Sequence, residues 1–273
     1  MTDNAPDYGI DTTRPHPARR YNYWLGGKDN FAPDRESADE IERKYPPVRT
    51  AALGNRLFLQ RAVQYLALEA GIRQFIDIGT GLPTADNTHE VAQRIAPDSR
   101  IVYVDNDPLV LTHARALLTS DPQGRTAYID ADLNNPQQIL DHQALRDTLD
   151  MTQPVAVMLV AVLHFIPDGE QAYAVVQELL SQVAPGSYLV VSHATGDFLD
   201  EATRLWLSTH DFVFRDRGEF SEFFTGLDLV TPGIVPITAW RPGADDKPPP
   251  PDQAPVYGAI GRKPVPATRE HHS

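Results

Sequence analysis

Cysteine is missing from the 273-residue chain. Disulfides, thiolate nucleophiles and cysteine-ligated zinc are therefore excluded. Basic residues are scarce: 24 Lys and Arg stand against 37 Asp and Glu, a formal net charge of −13. A surface this acidic repels phosphate backbones and anionic lipid headgroups, which argues against nucleic acid or a membrane as partner. No stretch approaches the apolar length of a membrane span, and the first thirty residues lack an apolar core of signal-peptide length. No Glu and His cluster has metal-ligand spacing, so no essential metal is expected. What remains is a soluble, cytoplasmic protein long enough to bury a full core.

Residues 1–15 read as a polar, disordered tail. A short helix over 17–25, a Gly26-Gly27 break and a second helix from about Pro33-Asp34 follow, closed by Pro46-Pro47. A longer helix then runs to about Ala70, with Leu59, Val63 and Leu66 on one face. After Gly71 the character changes. Strand-like runs at 75–78, 101–104, 126–129, 155–162 and 188–192 alternate with helix-like runs at 87–95, 108–118, 136–149 and 169–183. Pro108 at a helix start, behind Asp107 as a cap, is a clean boundary. This alternation predicts a mostly parallel sheet with helices on both faces. Two last strands, at 227–230 and 257–261, flank a proline-rich loop and can pair antiparallel. Further helices are expected at 199–208 and 219–224. The terminal His-His-Ser is too short to read as a tag or a metal site. The division expected is an N-terminal tail and helical lid over 1–70, then a Rossmann-like domain over 71–273.

The stretch FIDIGTGLPT, 75–84, is a strand entering a glycine turn. Glycine permits the turn and lets a ligand approach the backbone, and in a doubly wound sheet ligands sit at the carboxyl ends of strands. A plain tight turn is the bland alternative. A dinucleotide fingerprint wants a third small residue where this chain has Thr84 after Pro83, a poor match. A sulfonium ligand with an amino group suits the acid Asp77 better than a pyrophosphate does. Asp105, with Asn106 beside it, stands at the tip of the second strand, where a carboxylate can accept both hydroxyls of a ribose. The third strand ends in Tyr-Ile-Asp-Ala-Asp-Leu; Asp130 or Asp132 there can accept from an adenine amino group while Leu133 packs on the ring.

FIDIGTG, YVDNDP, DADL and VMLVAVLHFIPD together resemble the motif series of class I S-adenosylmethionine-dependent methyltransferases. More narrowly, ARRYNYWLGGKDNFAPDRE, GLPTADNTHEVAQ, VDNDPLVLTHARALL, VAVLHFIPD and TPGIVPITAWRP resemble an actinobacterial methyltransferase family long catalogued as a domain of unknown function. The resemblance covers roughly residues 14–263. It implies an α/β Rossmann-like fold with a mostly parallel seven-stranded sheet, and S-adenosyl-L-methionine as cofactor. Carried across, it puts Asp77, Gly79, Thr80 and Gly81 beside the methionine part, Asp105 on the ribose, and Asp132 with Leu133 on the adenine. At the end of strand four, where many members of the class have an acid or an Asn-Pro-Pro-Tyr type motif, this chain has Ala161-Val162-Leu163-His164, which argues against amino-methylating enzymes of the Asn-Pro-Pro-Tyr type.

The N-terminal segment RYNYWLGGKDN suggests a lid. Arg20, Tyr21, Tyr23, Gly26, Gly27, Lys28 and Asn30 are its candidates. Arg20 or Lys28 would pair with the cofactor carboxylate, and Tyr23 or Trp24 would cover the sulfonium or the acceptor by a cation–π contact. A helical hairpin packed for stability explains the same residues. Methyl transfer mainly needs alignment and exclusion of water, with a base only where the acceptor must first lose a proton. His164 and His193, at the ends of strands four and five, are the base candidates; each alone also reads as a structural, hydrogen-bonded histidine. His89 is expected to face cofactor or core. The leading expectation is methyl transfer to a small-molecule O or N acceptor. The alternative is a non-catalytic module that binds S-adenosylmethionine or S-adenosylhomocysteine, and an NAD-dependent oxidoreductase ranks last.

Overall fold

The computed structural model describes residues 10–117 and 120–266. The expected disorder of 1–9, the end of the 108–118 helix and the terminal His-His-Ser lie outside the described residues. Five parallel strands form the centre: β1 (Gln74–Ile78), β2 (Arg100–Asp105), β3 (Arg125–Asp130), β4 (Ala156–Val160) and β5 (Tyr188–Ala194). Their order is β3-β2-β1-β4-β5, followed by antiparallel β8 (Val256–Arg262). β1 pairs with β2 on one side and β4 on the other, so the strand order switches direction at β1.

Among the described residues the sheet has eight strands rather than the expected seven. The reason is local. β5 occupies one edge of β8 along its whole length. β6 (Asp228–Leu229) and β7 (Val235–Pro236) both pair antiparallel with the other edge, opposite Gly261–Arg262 and Tyr257–Gly258. They are two halves of one broken edge strand, interrupted by the excursion at 230–234. The antiparallel pairing expected between the last two strands is thus present, through β6 and β8.

Alternation along each strand divides the core. Ile76, Ile78, Val102 and Val104 face a cluster with α8 (Gly169–Ser181). Phe75, Ile101, Tyr103 and Met158 face α3 (Val48–Leu68), whose Phe58, Leu59, Ala62, Val63 and Leu66 complete the second cluster. α3 is therefore a core layer of the Rossmann-like unit, and the expected boundary at 70/71 cuts through one packed body. α1 (Pro17–Trp24) and α2 (Ala32–Lys44) form a smaller cluster of their own: Trp24, Ala38 and Ile41 meet Val48, Ala52 and Leu207.

Local signals set most boundaries. α4 (Thr88–Ile95) follows Asn87, whose backbone N–H bonds back to Glu90. Asp107 caps α5 (Pro108–Leu117) by accepting the Leu109 N–H at 3.0 Å. The single helix expected over 136–149 is two, α6 (Pro136–Leu140) and α7 (Gln143–Thr148), because the His142 ring accepts the Ala144 N–H and starts a new helix. Near the C-terminal half, α9 (Glu201–Leu207) and α10 (Arg217–Ser221) begin at Asp200 and Asp216, each accepting an N–H three residues on.

A buried ion pair ties the N-terminal helices to the sheet. Arg19 on α1 donates from Nε and Nη2 to both oxygens of Asp107, 2.9 Å each, and the two side chains are 3% and 0% exposed. Breaking one partner of such a pair strands the other charge and costs about 3–5 kcal/mol. Arg19→Met is expected to lower the unfolding free energy by about that amount in urea titration. A change under about 1 kcal/mol would show that α1 is held by its apolar contacts alone.

Candidate functional site

The switch at β1 opens a crevice at the carboxyl ends of the strands. A cavity of about 360 Å³ lies there, the size of a small-ligand site. Asp77, Gly79, Thr80, Gly81, Asp105, Asn106, Asp132, Leu133 and Arg20 all line it, as does His164. Tyr23, Lys28 and His193 do not.

Asp77 is the penultimate residue of β1 and alternation turns it toward α3 and α4. Thr88 on α4 donates to its Oδ2 at 2.6 Å. Burial pushes its carboxyl up to about 6, against the pull of Thr88 and of the Arg56 charge. Asp105 closes β2. It accepts the Asp107 N–H on Oδ1 and the Gly81 N–H on Oδ2, both at 2.9 Å. Burial raises it to about 6 as well, against those backbone bonds. The second of these bonds locks the glycine turn to the tip of β2. Asp132 accepts from Asn134 at 2.8 Å and from the Asn106 amide at 3.3 Å, and Leu133 beside it is buried.

The glycines have separate reasons. Gly79 has φ +70, and an added Cβ would stand 2.5 Å from the Val162 side chain. Gly81 has φ +66 with open space where a Cβ would be. Across the crevice β4 stops at Val160, two residues before the expected end. Ala161 turns it, at φ +58, a conformation that L residues rarely adopt. The Ala161 N–H is held by the Ser192 hydroxyl at 2.9 Å.

The N-terminal segment divides. Arg20 and Tyr21 reach the cavity. Tyr21 donates to the Ala52 carbonyl at 2.9 Å and accepts from Asn55 at 3.1 Å. Tyr23 departs from expectation because it lies on the outer side of α1, where its hydroxyl donates to Asp39 and Arg49 covers its ring at 5.1 Å. Lys28 is exposed on the turn after α1. Gly26, Gly27 and Asn30 build that turn, with the Asn30 amide bonded to the Asn22 side chain and the Gly27 carbonyl. Trp24 does line the cavity.

The histidines also divide. His193 follows the other parity of β5, away from α3, so its ring packs on Phe220 and Phe223. Its Nδ1 donates to the Ala194 carbonyl at 2.7 Å, and Nε2 accepts from Arg215 at 2.6 Å. Both nitrogens are occupied, which removes it as a base. His164 sits in the turn after β4 with a buried Nδ1 that has no hydrogen-bond partner. Burial and the Arg215 charge push it down to about 3. It is a neutral ring with a free polar edge and a weak base. His89 faces the core, its Nδ1 2.8 Å from the Tyr103 hydroxyl.

Sequence reasoning missed Arg56, Asn55 and the wall of Phe212 and Phe214, all of which line the cavity. Arg56 donates to the Ala85 carbonyl and the Asn87 side chain while its buried Nε has no partner. No local pattern marks it; one of three arginines on a long helix, with Arg49 and Arg61, it looks like part of a solvated face.

A model of an S-adenosyl methyltransferase family matches residues 3–264. The chain belongs to this family. Among solved structures, this chain is similar to a DUF574 family protein from Streptomyces avermitilis: 45% identity, TM-score 0.88, covering 93% of this chain and 100% of that one. A structure from Thermobifida fusca is similar at 40% identity and TM-score 0.88, covering 96% and 100%. A carboxy-S-adenosyl-L-methionine synthase from Trichlorobacter lovleyi is 30% identical over 167 residues, which are 59% of this chain and 62% of that relative's length. The expected methyltransferase fold and the cofactor S-adenosylmethionine stand. The site's own chemistry fits that cofactor: open space at Gly81, carboxylates at or just past the carboxyl ends of three successive strands, and an unpartnered guanidinium nitrogen on Arg56 near Asp77. Among the described residues no helix is long and apolar enough to cross a membrane.

The two turns respond oppositely to substitution. Gly79→Ala is expected to destabilise by about 1–3 kcal/mol, from overpacking against Val162 together with the φ penalty. Ala161→Gly relieves a left-handed alanine and is expected to stabilise by about 1 kcal/mol. Thermal denaturation of both variants checks the pair; a destabilised Ala161→Gly would show that Ala161 is not strained.

Proposed function

We propose that this chain transfers a methyl group from S-adenosylmethionine to a small-molecule O or N acceptor. The observation that carries the reading is one cavity lined both by the glycine turn and the strand-end carboxylates Asp77, Asp105 and Asp132 and by Trp24 and Ile41 of α1 and α2. Asp105 would accept the ribose hydroxyls, since it stands at the tip of β2 on the cavity wall and its carboxylate can accept more bonds than the backbone gives it. Asp132 and Leu133 would hold the adenine. Asp77 would take the amino group. Arg56, rather than Arg20, would take the methionine carboxylate, because Arg56 is the cation whose charge reaches Asp77. When bound, the cofactor supplies an electrophilic methyl group already activated by its sulfonium.

What the chain's own residues contribute is alignment and dryness. α1 and α2 would act as the lid, with Tyr21 and Trp24 facing the cavity, while α3 belongs to the frame. Among the described residues of the wall, burial lowers both His164 and His16, which makes them weak bases, and the carboxylates would serve the cofactor. The acceptor is therefore one whose lone pair is available without prior removal of a proton. His164 would orient it by accepting or donating a hydrogen bond at Nδ1. The acidic surface supports a small molecule over nucleic acid as acceptor.

Two outcomes test this reading. Asp105→Ala is expected to weaken S-adenosylmethionine binding by about 1.5–3 kcal/mol in calorimetric titration, with no binding of NADH by either protein. Unchanged affinity would remove the ribose assignment. The pH dependence has a defined sign. Asp77 and Asp105 are raised to about 6 and would serve the ligand ionised, so each must shed its proton below that pH. Affinity is expected to be flat above about pH 7 and to fall below 6, by up to tenfold per pH unit for each carboxylate. In the ligand-free protein the same raised values favour the protonated folded form, so this contribution to stability is present below about pH 4 and lost as pH rises to 6.

A further inference from the structure

Two guanidinium groups line the cavity with a buried nitrogen that lacks a hydrogen-bond partner: half-buried Arg56 at Nε and buried Arg20 at Nη2. S-adenosylmethionine has one carboxylate, and Arg56 stands at its end of the cavity. Arg20 is left over. Its side chain is 3% exposed. Nη1 donates to the Ser37 hydroxyl at 3.2 Å, and Nη2 lies 3.7 Å from Asp211, beyond hydrogen-bond reach of a side chain that is itself 75% exposed. Asp34, the other acid near it, is already occupied by the His16 and Phe31 N–H groups at 2.8 Å.

The surroundings of Arg20 are aromatic. Its Cζ is 5.9 Å from the Phe212 ring, which lies 5.8 Å from Phe165 and 5.7 Å from His164. Trp24 and Phe214 line the same end. A buried cation in an apolar wall, with a donor unspent, is a costly arrangement that an incoming anion resolves. A guanidinium matches a carboxylate by paired N–H bonds.

We propose, resting on the methyltransferase reading above, that the acceptor is a small aryl carboxylate, its carboxylate held by Arg20 and its ring stacked among Phe165, Phe212 and Trp24. Asp211 is then a stand-in for the substrate, holding Arg20 loosely in place until the anion arrives. Arg20 recognises the acceptor, and the proposal leaves the methylated atom to His164's neighbourhood.

The test uses the full chain saturated with S-adenosylhomocysteine, titrated calorimetrically with three pairs: benzoate and benzamide, phenylacetate and phenylacetamide, 3-phenylpropionate and 3-phenylpropionamide. At least one carboxylate is expected to bind tenfold or more tightly than its amide, and Arg20→Met is expected to abolish that preference while S-adenosylhomocysteine still binds. Asp211→Asn removes the competing charge at a residue with φ +66, which asparagine adopts readily. It is expected to tighten the carboxylate about two- to fivefold, the worth of an exposed ion pair. No carboxylate preference in the unmodified protein, or one that survives Arg20→Met, overturns the proposal. Should Arg20→Met fail to fold, unchanged carboxylate affinity in Asp211→Asn overturns it. Failure of S-adenosylhomocysteine itself to bind would instead overturn the cofactor reading beneath it.

Discussion

β1 pairs on both sides, with β2 and with β4, and the site exists because of that placement. The chain leaves β1, builds β2 and β3 to one side, then crosses back to β4 on the other. Connections that diverge cannot cover the strand ends between them, so a crevice is left. The two turns that border it, at Gly79 and Ala161, both use left-handed backbone. Both are pinned from the next strand over: Gly79 donates to the Val104 carbonyl at 2.8 Å, and Ala161 is held by Ser192. The sheet thus fixes the crevice's walls before any ligand contributes.

Around this crevice the chain keeps polar groups that its own contacts do not satisfy. Two carboxyls are raised to about 6 and one histidine lowered to about 3, all chiefly by burial. Two guanidinium nitrogens and one imidazole nitrogen lack partners. Each unmet donor or acceptor costs about 1–3 kcal/mol in a folded protein. They persist because two apolar clusters, one on each face of the sheet, hold the frame, and because α1 is anchored by the buried Arg19–Asp107 pair and by its own cluster around Trp24. A ligand with a ribose, an amino group and a carboxylate offers a partner to most of these groups at once, which is the physical sense in which the site fits the family's cofactor.

Much of this was legible in the chain. Asp77, Gly79, Gly81, Asp105 and Asp132 were readable because strand ends can be located from alternation and turn residues, and topology sends strand ends to the crevice. Asp107 was readable as a cap but not as the partner of Arg19, 88 residues away. His193 was readable as a strand-end residue, yet its parity on β5 decides that it faces Phe220 and Phe223 rather than the cavity. Tyr23 and Lys28 looked like their neighbours Arg20 and Tyr21; the turn of α1 sends Arg20 and Tyr21 inward and Tyr23 out, and Lys28 falls beyond the helix on an exposed turn. Arg56 carried no local mark at all.

The sequence by itself determined the parallel α/β architecture, the glycine turn after β1 and the acids at the carboxyl ends of β1, β2 and β3. These depend on residue type at short spacing, which local backbone preference and burial period enforce. Only the tertiary structure decided which side chains share the cavity, where α3 belongs, that the last edge strand is broken in two, and that Arg20 lies buried with a nitrogen to spare. Those outcomes depend on elements far apart in the chain meeting in one place, and on the desolvation that follows, neither of which any single stretch of sequence records.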